Sequence, residues 1–209
     1  MSLIDICKND TTQATQDFAI REFYSKSSNA PACHTLSDKL IQAVQYIRTY
    51  YNIPICITST YRTKRANDLL GSNENSQHRT PEGAVDFQAC DSEQRDYLIG
   101  QLYVQFKEKG EVYQELRDIG INGFGFYDSF THIDVRANYT GEVDFWDDTS
   151  GKYGDITLDG KKKNPINRLI DSFGGEDGLA DYKKPILRIA YGLIIMLVIL
   201  IILTLIIKK

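Results

Sequence analysis

The chain has 209 residues, with 24 Lys and Arg against 28 Asp and Glu and a net charge of -4. That length supports one well-cored domain with residues left over, and the 11% aromatic content argues against a wholly disordered chain. A general nucleic-acid binder would carry a basic surplus or stripe, so no nucleic-acid partner is expected.

Residues 1–16 are polar and Thr-rich and read as a flexible N-terminal arm. No basic region followed by an apolar core marks a signal peptide there. Phe18, Ile20, Phe23 and Tyr24 suggest a short segment packed on the domain, and residues 25–34 form a Ser-, Asn- and Pro-rich loop. Leu36, Leu40, Ile41, Val44, Ile47 and Tyr51 recur at three- and four-residue steps, which predicts an amphipathic helix ended by Asn52 and Pro54. Residues 53–60 are short and β-branched and predict a buried strand, with Tyr61 and Arg62 at its end. One or two helical turns over 63–70 lead into a polar loop over 72–83, and residues 84–88 read as the next strand. A helix is predicted over 92–108, with Tyr97, Leu98, Leu102 and Phe106 in register and Ser92 as cap. Residues 113–118 are helix or loop, 119–127 a Gly-punctuated strand and turn, and 131–135 a strand with period-two alternation. The order is α+β.

Beyond residue 140 the composition shifts. Residues 141–185 read as a linker that carries a short amphipathic segment over 164–173, either lying on a membrane surface or docked on the domain. Residues 186–207 are almost wholly apolar. As a helix of about 33 Å they match a bilayer core of roughly 30 Å, with Lys183, Lys184, Lys208 and Lys209 flanking the stretch. A C-terminal membrane anchor is expected, with its orientation open because both flanks are basic.

Cys7, Cys33, Cys56 and Cys90 are scattered and contain no Cys-x-x-Cys pair, so unpaired thiols are expected rather than disulfides or a cysteine zinc site. His78 and Asp86 stand in one loop-to-strand step, and His132 stands on a distant strand. These are the residue types of a catalytic zinc site, which takes three protein ligands and leaves a fourth position open. Spacing alone leaves other His/Asp sets open. His34 has no motif around it and reads as a surface residue.

Five stretches are more specific: Ser59-Thr60-Tyr61-Arg62, Ser76-Gln77-His78, Gly83-Ala84-Val85-Asp86, Gly123-Phe124-Gly125-Phe126-Tyr127 and Phe130-Thr131-His132-Ile133-Asp134-Val135-Arg136. In this order they resemble the M15 family of zinc peptidases, which includes D-Ala-D-Ala carboxypeptidases and phage-type cell-wall endopeptidases. The resemblance covers about residues 17–138 of a domain read as 17–140, and implies a small antiparallel sheet with packed helices around a zinc site, as in the M15/hedgehog-like fold. It also implies His78, Asp86 and His132 as Zn²⁺ ligands, and Arg62, Ser76 and Tyr61 as substrate-binding residues. Arg62 would also act in catalysis, on a substrate carboxylate or a developing oxyanion. The general base is assigned to Asp134, with Asp128 and Glu82 as alternatives, because Ser129 stands where other members have Glu. The turn holds one extra residue between His78 and Asp86, and Thr60 replaces a usual Gly. The expected activity is cleavage of peptidoglycan peptide stems by a bilayer-anchored enzyme of phage or virion type. A non-catalytic zinc module on the same fold is the alternative, and a structural membrane protein of a lipid-containing virion is compatible with either.

Overall fold

Ser37 stops the second strand and starts the first helix. Its hydroxyl accepts from the Lys39 amide at 3.3 Å, which fixes the N-terminus of α1 (Asp38–Tyr51). Leu40, Ile41, Val44 and Ile47 form the buried stripe of α1, and the helix ends at Asn52 in a left-handed conformation, as the sequence predicts. The computed structural model describes residues 2–27, 29–137 and 143–153, all within one compact unit, Met1–Lys161.

Two sheets build this unit. β1 (Leu3–Cys7) and β2 (Cys33–Ser37) pair antiparallel in a small ribbon. The five-stranded sheet contains β3 (Ile55–Ser59), β4 (Ala84–Ala89), β5 (Gly123–Tyr127), β6 (Thr131–Asp134) and β7 (Asp144–Asp148), in the order β3-β4-β6-β5-β7. All its pairs are antiparallel except β5–β7, which is parallel. Short α2 (Lys64–Leu69) lies between β3 and β4, while α3 (Ser92–Lys107) and α4 (Glu111–Ile119) lie between β4 and β5.

One face of the large sheet is core. Val85, Phe87, Ile133, Phe124 and Phe126 are buried there, and Phe106 of α3 packs against Phe124 with ring centroids 3.6 Å apart. Each such aromatic, once buried, contributes about 1.5–3 kcal/mol. The core anchors the middle strands and leaves the opposite face free to carry polar groups.

Several expectations are corrected. Residues 3–7 of the expected arm form β1, because Ile4 and Ile6 alternate inward against β2. The cysteines are not free: Cys7 pairs with Cys33 and Cys56 with Cys90. Strand register brings each pair together across 26 and 34 residues, a relation that sequence spacing does not reveal. His34 is buried rather than on the surface, since its ring stacks on Tyr61 at 5.3 Å and its Nε2 accepts from the Ser25 amide. The expected linker begins with a strand, β7, whose parallel pairing also departs from an all-antiparallel sheet. Among the described residues no helix is long and apolar enough to cross a membrane; the anchor expected at 186–207 and the segment at 164–173 lie outside them.

Candidate metal centre

The strand register sets one transverse row across the polar face of the large sheet. Ser59 stands opposite Asp86, Asp86 opposite His132, His132 opposite Gly125 and Gly125 opposite Trp146. Alternation alone would put Ser59 on the core face with Ile55 and Ile57. An irregularity between Ile57 and Ser59 re-aims it, as a β-bulge does.

His78 comes from a short 3-10 turn, Gln77–Arg79, at the edge of this face. The Arg62 amide donates to the His78 carbonyl at 2.8 Å and holds the turn against the end of β3. The extra residue between His78 and Asp86 is absorbed by a tight turn in which the Gly83 amide donates to the Thr80 carbonyl. Thr60 suits its position: its carbonyl accepts from His78 Nδ1, and its hydroxyl donates to the Phe23 carbonyl at 2.8 Å.

The ligand atoms of His78, Asp86 and His132 lie within 4.8 Å of one another, and all three residues are buried. His78 Nε2 is 3.1 Å from Asp86 Oδ1 and 3.2 Å from His132 Nδ1, and His132 Nδ1 is 2.7 Å from Asp86 Oδ1. Tetrahedral zinc ligands at ~2.1 Å from the ion stand about 3.4 Å apart, so the spacing is close to that of a metal-bound set. The tautomers agree. The Thr60 carbonyl can only accept, so Nδ1 of His78 donates to it and Nε2 presents a lone pair inward. His132 Nε2 faces the Asp134 carboxylate at 3.0 Å, which leaves the Nδ1 lone pair inward. Two imidazole lone pairs and a carboxylate oxygen converge, an arrangement that calls for a cation. The residues fit Zn²⁺.

Without a cation the cluster draws protons in its place. Burial would raise the Asp86 carboxyl, but the charge of His78 and hydrogen bonds from His132 and His78 outweigh it and hold Asp86 below the usual carboxylate range. Burial depresses His78 despite the attraction of Asp86. For His132 burial also opposes the charged form, but bonds to Asp134 and Asp86 prevail and draw positive charge to the ring.

Asp134 is fully buried behind His132, not on its open side. Arg136 grips it with Nε at 2.8 Å from Oδ1 and Nη2 at 2.5 Å from Oδ2. Burial raises the Asp134 carboxyl, but the Arg136 and His132 hydrogen bonds outweigh it and keep the group ionised. This is how a carboxylate orients a ligating imidazole, rather than how a base meets substrate. Gly123 makes the position possible, since a Cβ there would run into the Asp134 carboxylate.

Above the cluster opens a cleft of about 850 Å³. One side is polar, with Ser59, Ser72, Asn73, Ser76 and Gln77; the other is aromatic, with Tyr127, Phe130 and Trp146. Asn67 braces the polar side, its Nδ2 donating to the carbonyls of Ser72 and Asn73. Arg62 lines the cleft while its Nη2 holds Asp86 Oδ2 at 2.5 Å, which steers Oδ1 toward the histidines. Ser76 lines the cleft. Tyr61 does not: it stacks on His34 and borders a separate cavity of about 250 Å³ with Pro31 and Pro81. Asp128 is exposed and Glu82 half-buried, and neither borders the cleft, where Asp86 is the only carboxylate among the described residues.

Sequence reasoning missed Trp146 altogether, because it lies in a stretch read as linker. The signal that could have marked it is the adjacent pair of aromatics, Phe145 and Trp146, within an otherwise acidic run. Tyr127 stands in one of the five motifs, which by itself assigns it no role.

No curated protein or solved structure matches the chain. The Peptidase M15 family model matches residues 16–134, more than half of the sequence and all three candidate zinc ligands. The chain therefore belongs to the M15 family of peptidases.

Proposed function

We propose that the protein is a zinc-dependent peptidase that cleaves the peptide stems of bacterial peptidoglycan, as a cross-link endopeptidase or a D,D-carboxypeptidase. The observation that carries this is the convergence of His78 Nε2, Asp86 Oδ1 and His132 Nδ1, the donor set of a zinc site, at the floor of an open cleft. Zinc held there would supply Lewis acidity to a scissile carbonyl and lower the pKa of water. The chain's own groups do the rest. Arg62 fixes Asp86 and presents cationic surface to a substrate carboxylate, Ser76 and Gln77 offer hydrogen bonds along the polar wall, and Asp134 holds the His132 ring in its ligating tautomer.

A peptide stem suits a cleft open to solvent. The paired cysteines favour a working place outside a reducing cytoplasm, where the cell wall lies. An anchor at 186–207 in a virion or host membrane would hold the domain near an insoluble substrate.

One observation favours a second reading, a non-catalytic zinc module. Among the described residues no carboxylate other than Asp86 borders the cleft, so none of their lining side chains is a free carboxylate base. Incubation of the zinc-loaded full chain with purified muropeptides, followed by mass spectrometry, decides between them. New stem-peptide fragments that vanish with chelator or with His78→Ala support the peptidase. Zinc binding without cleavage supports the module.

A further inference from the structure

Trp146 lies beyond the span matched to the family, on the edge strand β7, yet its ring borders the cleft 5.2 Å from the His132 ring. Its position is built. Gly125 lies beneath, where any Cβ would strike the indole, and the Arg136 guanidinium sits 5.0 Å from the ring centroid. Arg136 is itself tied to Asp134 and, at 3.0 Å, to Asp144 of β7. Trp146 Nε1 donates to the Tyr127 hydroxyl at 2.9 Å. The Tyr127 ring is stacked on Phe130 at 4.3 Å, so it cannot swing freely away from the cleft.

The direction of that bond has a chemical consequence. An indole N–H can only donate, whereas a phenol both donates and accepts. With its oxygen engaged as acceptor, Tyr127 has its O–H left to give. Tyr127 projects from the same strand face as Gly125, two residues on, and its side chain lines the same cleft as His132. We infer that Tyr127 is the hydrogen-bond donor to the scissile carbonyl oxygen of the substrate, and that Trp146 is the residue that orients it.

As water adds to the carbonyl carbon, negative charge gathers on the carbonyl oxygen, and a preoriented donor stabilises that charge more than it stabilises the ground state. The C–N bond then breaks, the water oxygen stays on carbon and a proton goes to the leaving nitrogen. The Tyr127 proton remains on its own oxygen throughout. Tyr127 therefore does not replace a general base, and β7 completes the electrophilic side of the site.

This rests on the peptidase reading, and the test separates the two. In the zinc-loaded full chain acting on muropeptides, Tyr127→Phe is expected to lower kcat about 100-fold with little change in KM. Trp146→Phe, which keeps an aromatic ring but removes the N–H, is expected to lower kcat about tenfold. The double variant should be no slower than Tyr127→Phe, since the tryptophan acts through the tyrosine. Zinc content and thermal midpoint should match the wild type, because Tyr127 is only half-buried. Independent, multiplying losses, or a Tyr127→Phe rate within threefold of wild type, would overturn the inference. If the wild type cleaves no muropeptide, the peptidase reading fails and the pair is judged by calorimetry with acetohydroxamate, a metal-chelating probe with a polarised carbonyl oxygen. Both variants should then bind it about tenfold more weakly, and affinity equal to wild type would overturn the pair.

Discussion

At the scale of single residues, the metal centre depends as much on what stands behind the ligands as on the ligands themselves. His132 presents Nδ1 because Asp134 occupies Nε2, and Asp134 stays ionised because Arg136 grips both its oxygens. Asp134→Asn keeps the shape but weakens this hold, and zinc affinity should fall about 10- to 100-fold, read by competition with a chromogenic chelator. Gly123→Ala should give a similar loss through a different cause, because its methyl group displaces the Asp134 carboxylate. An unchanged zinc affinity in both variants would show that Asp134 does not orient His132.

At the scale of elements, the edges of the site are secured by covalent and polar ties. Cys7–Cys33 closes the β1–β2 ribbon, and Cys56–Cys90 joins β3 to the residue that follows β4. Loops of this length imply roughly 3–4 kcal/mol of stability from each bridge. Cys56→Ser with Cys90→Ser should therefore lower the thermal midpoint by about 10 °C, and a reductant should do the same to the wild type but not to a variant lacking all four thiols. β7 is an edge strand with Asp144, Asp147 and Asp148 on it, charges that discourage pairing with another chain. In β2, burial holds the His34 imidazole below the ordinary histidine range. The unfolded chain then takes up this proton first as pH falls below about 6.5, so the fold is fully stable above that pH and loses stability below it. Denaturant midpoints measured between pH 5 and 7 should slope less steeply in His34→Gln than in the wild type, and parallel slopes would rule this residue out.

At the scale of the whole molecule, much of the site was legible because its chemistry is local in sequence. His78 and Asp86 lie eight residues apart, and the His132–Asp134 strand announces itself by alternation. The order of the central helices and strands was legible for the same reason, since the stripe of α1 and its stop at Asn52 are short-range patterns, although the cap of α3 is Asp91 rather than Ser92. What escaped depends on register between distant strands. The disulfides, the burial of His34, the turning of Asp134 behind its neighbour and the arrival of Trp146 are each fixed by which residue faces which across a sheet, and no spacing along the chain encodes that. The expected anchor is independent of all this. The full chain should float with liposomes in a density gradient while a chain ending at residue 185 stays with the soluble fraction; a full chain that fails to float would remove the membrane from the proposed function.

Trp146 is also the only tryptophan in the 209 residues. Excited at the red edge of indole absorption, where the 13 tyrosines do not absorb, the protein therefore emits from one point, beside the His132 imidazole and the Arg136 guanidinium. Co²⁺ at the three ligands should quench that light by energy transfer, and a peptide entering the cleft should shift its colour as water leaves the indole. The protein thus reports the filling of its own site without any attached dye, at concentrations far below those that calorimetry needs.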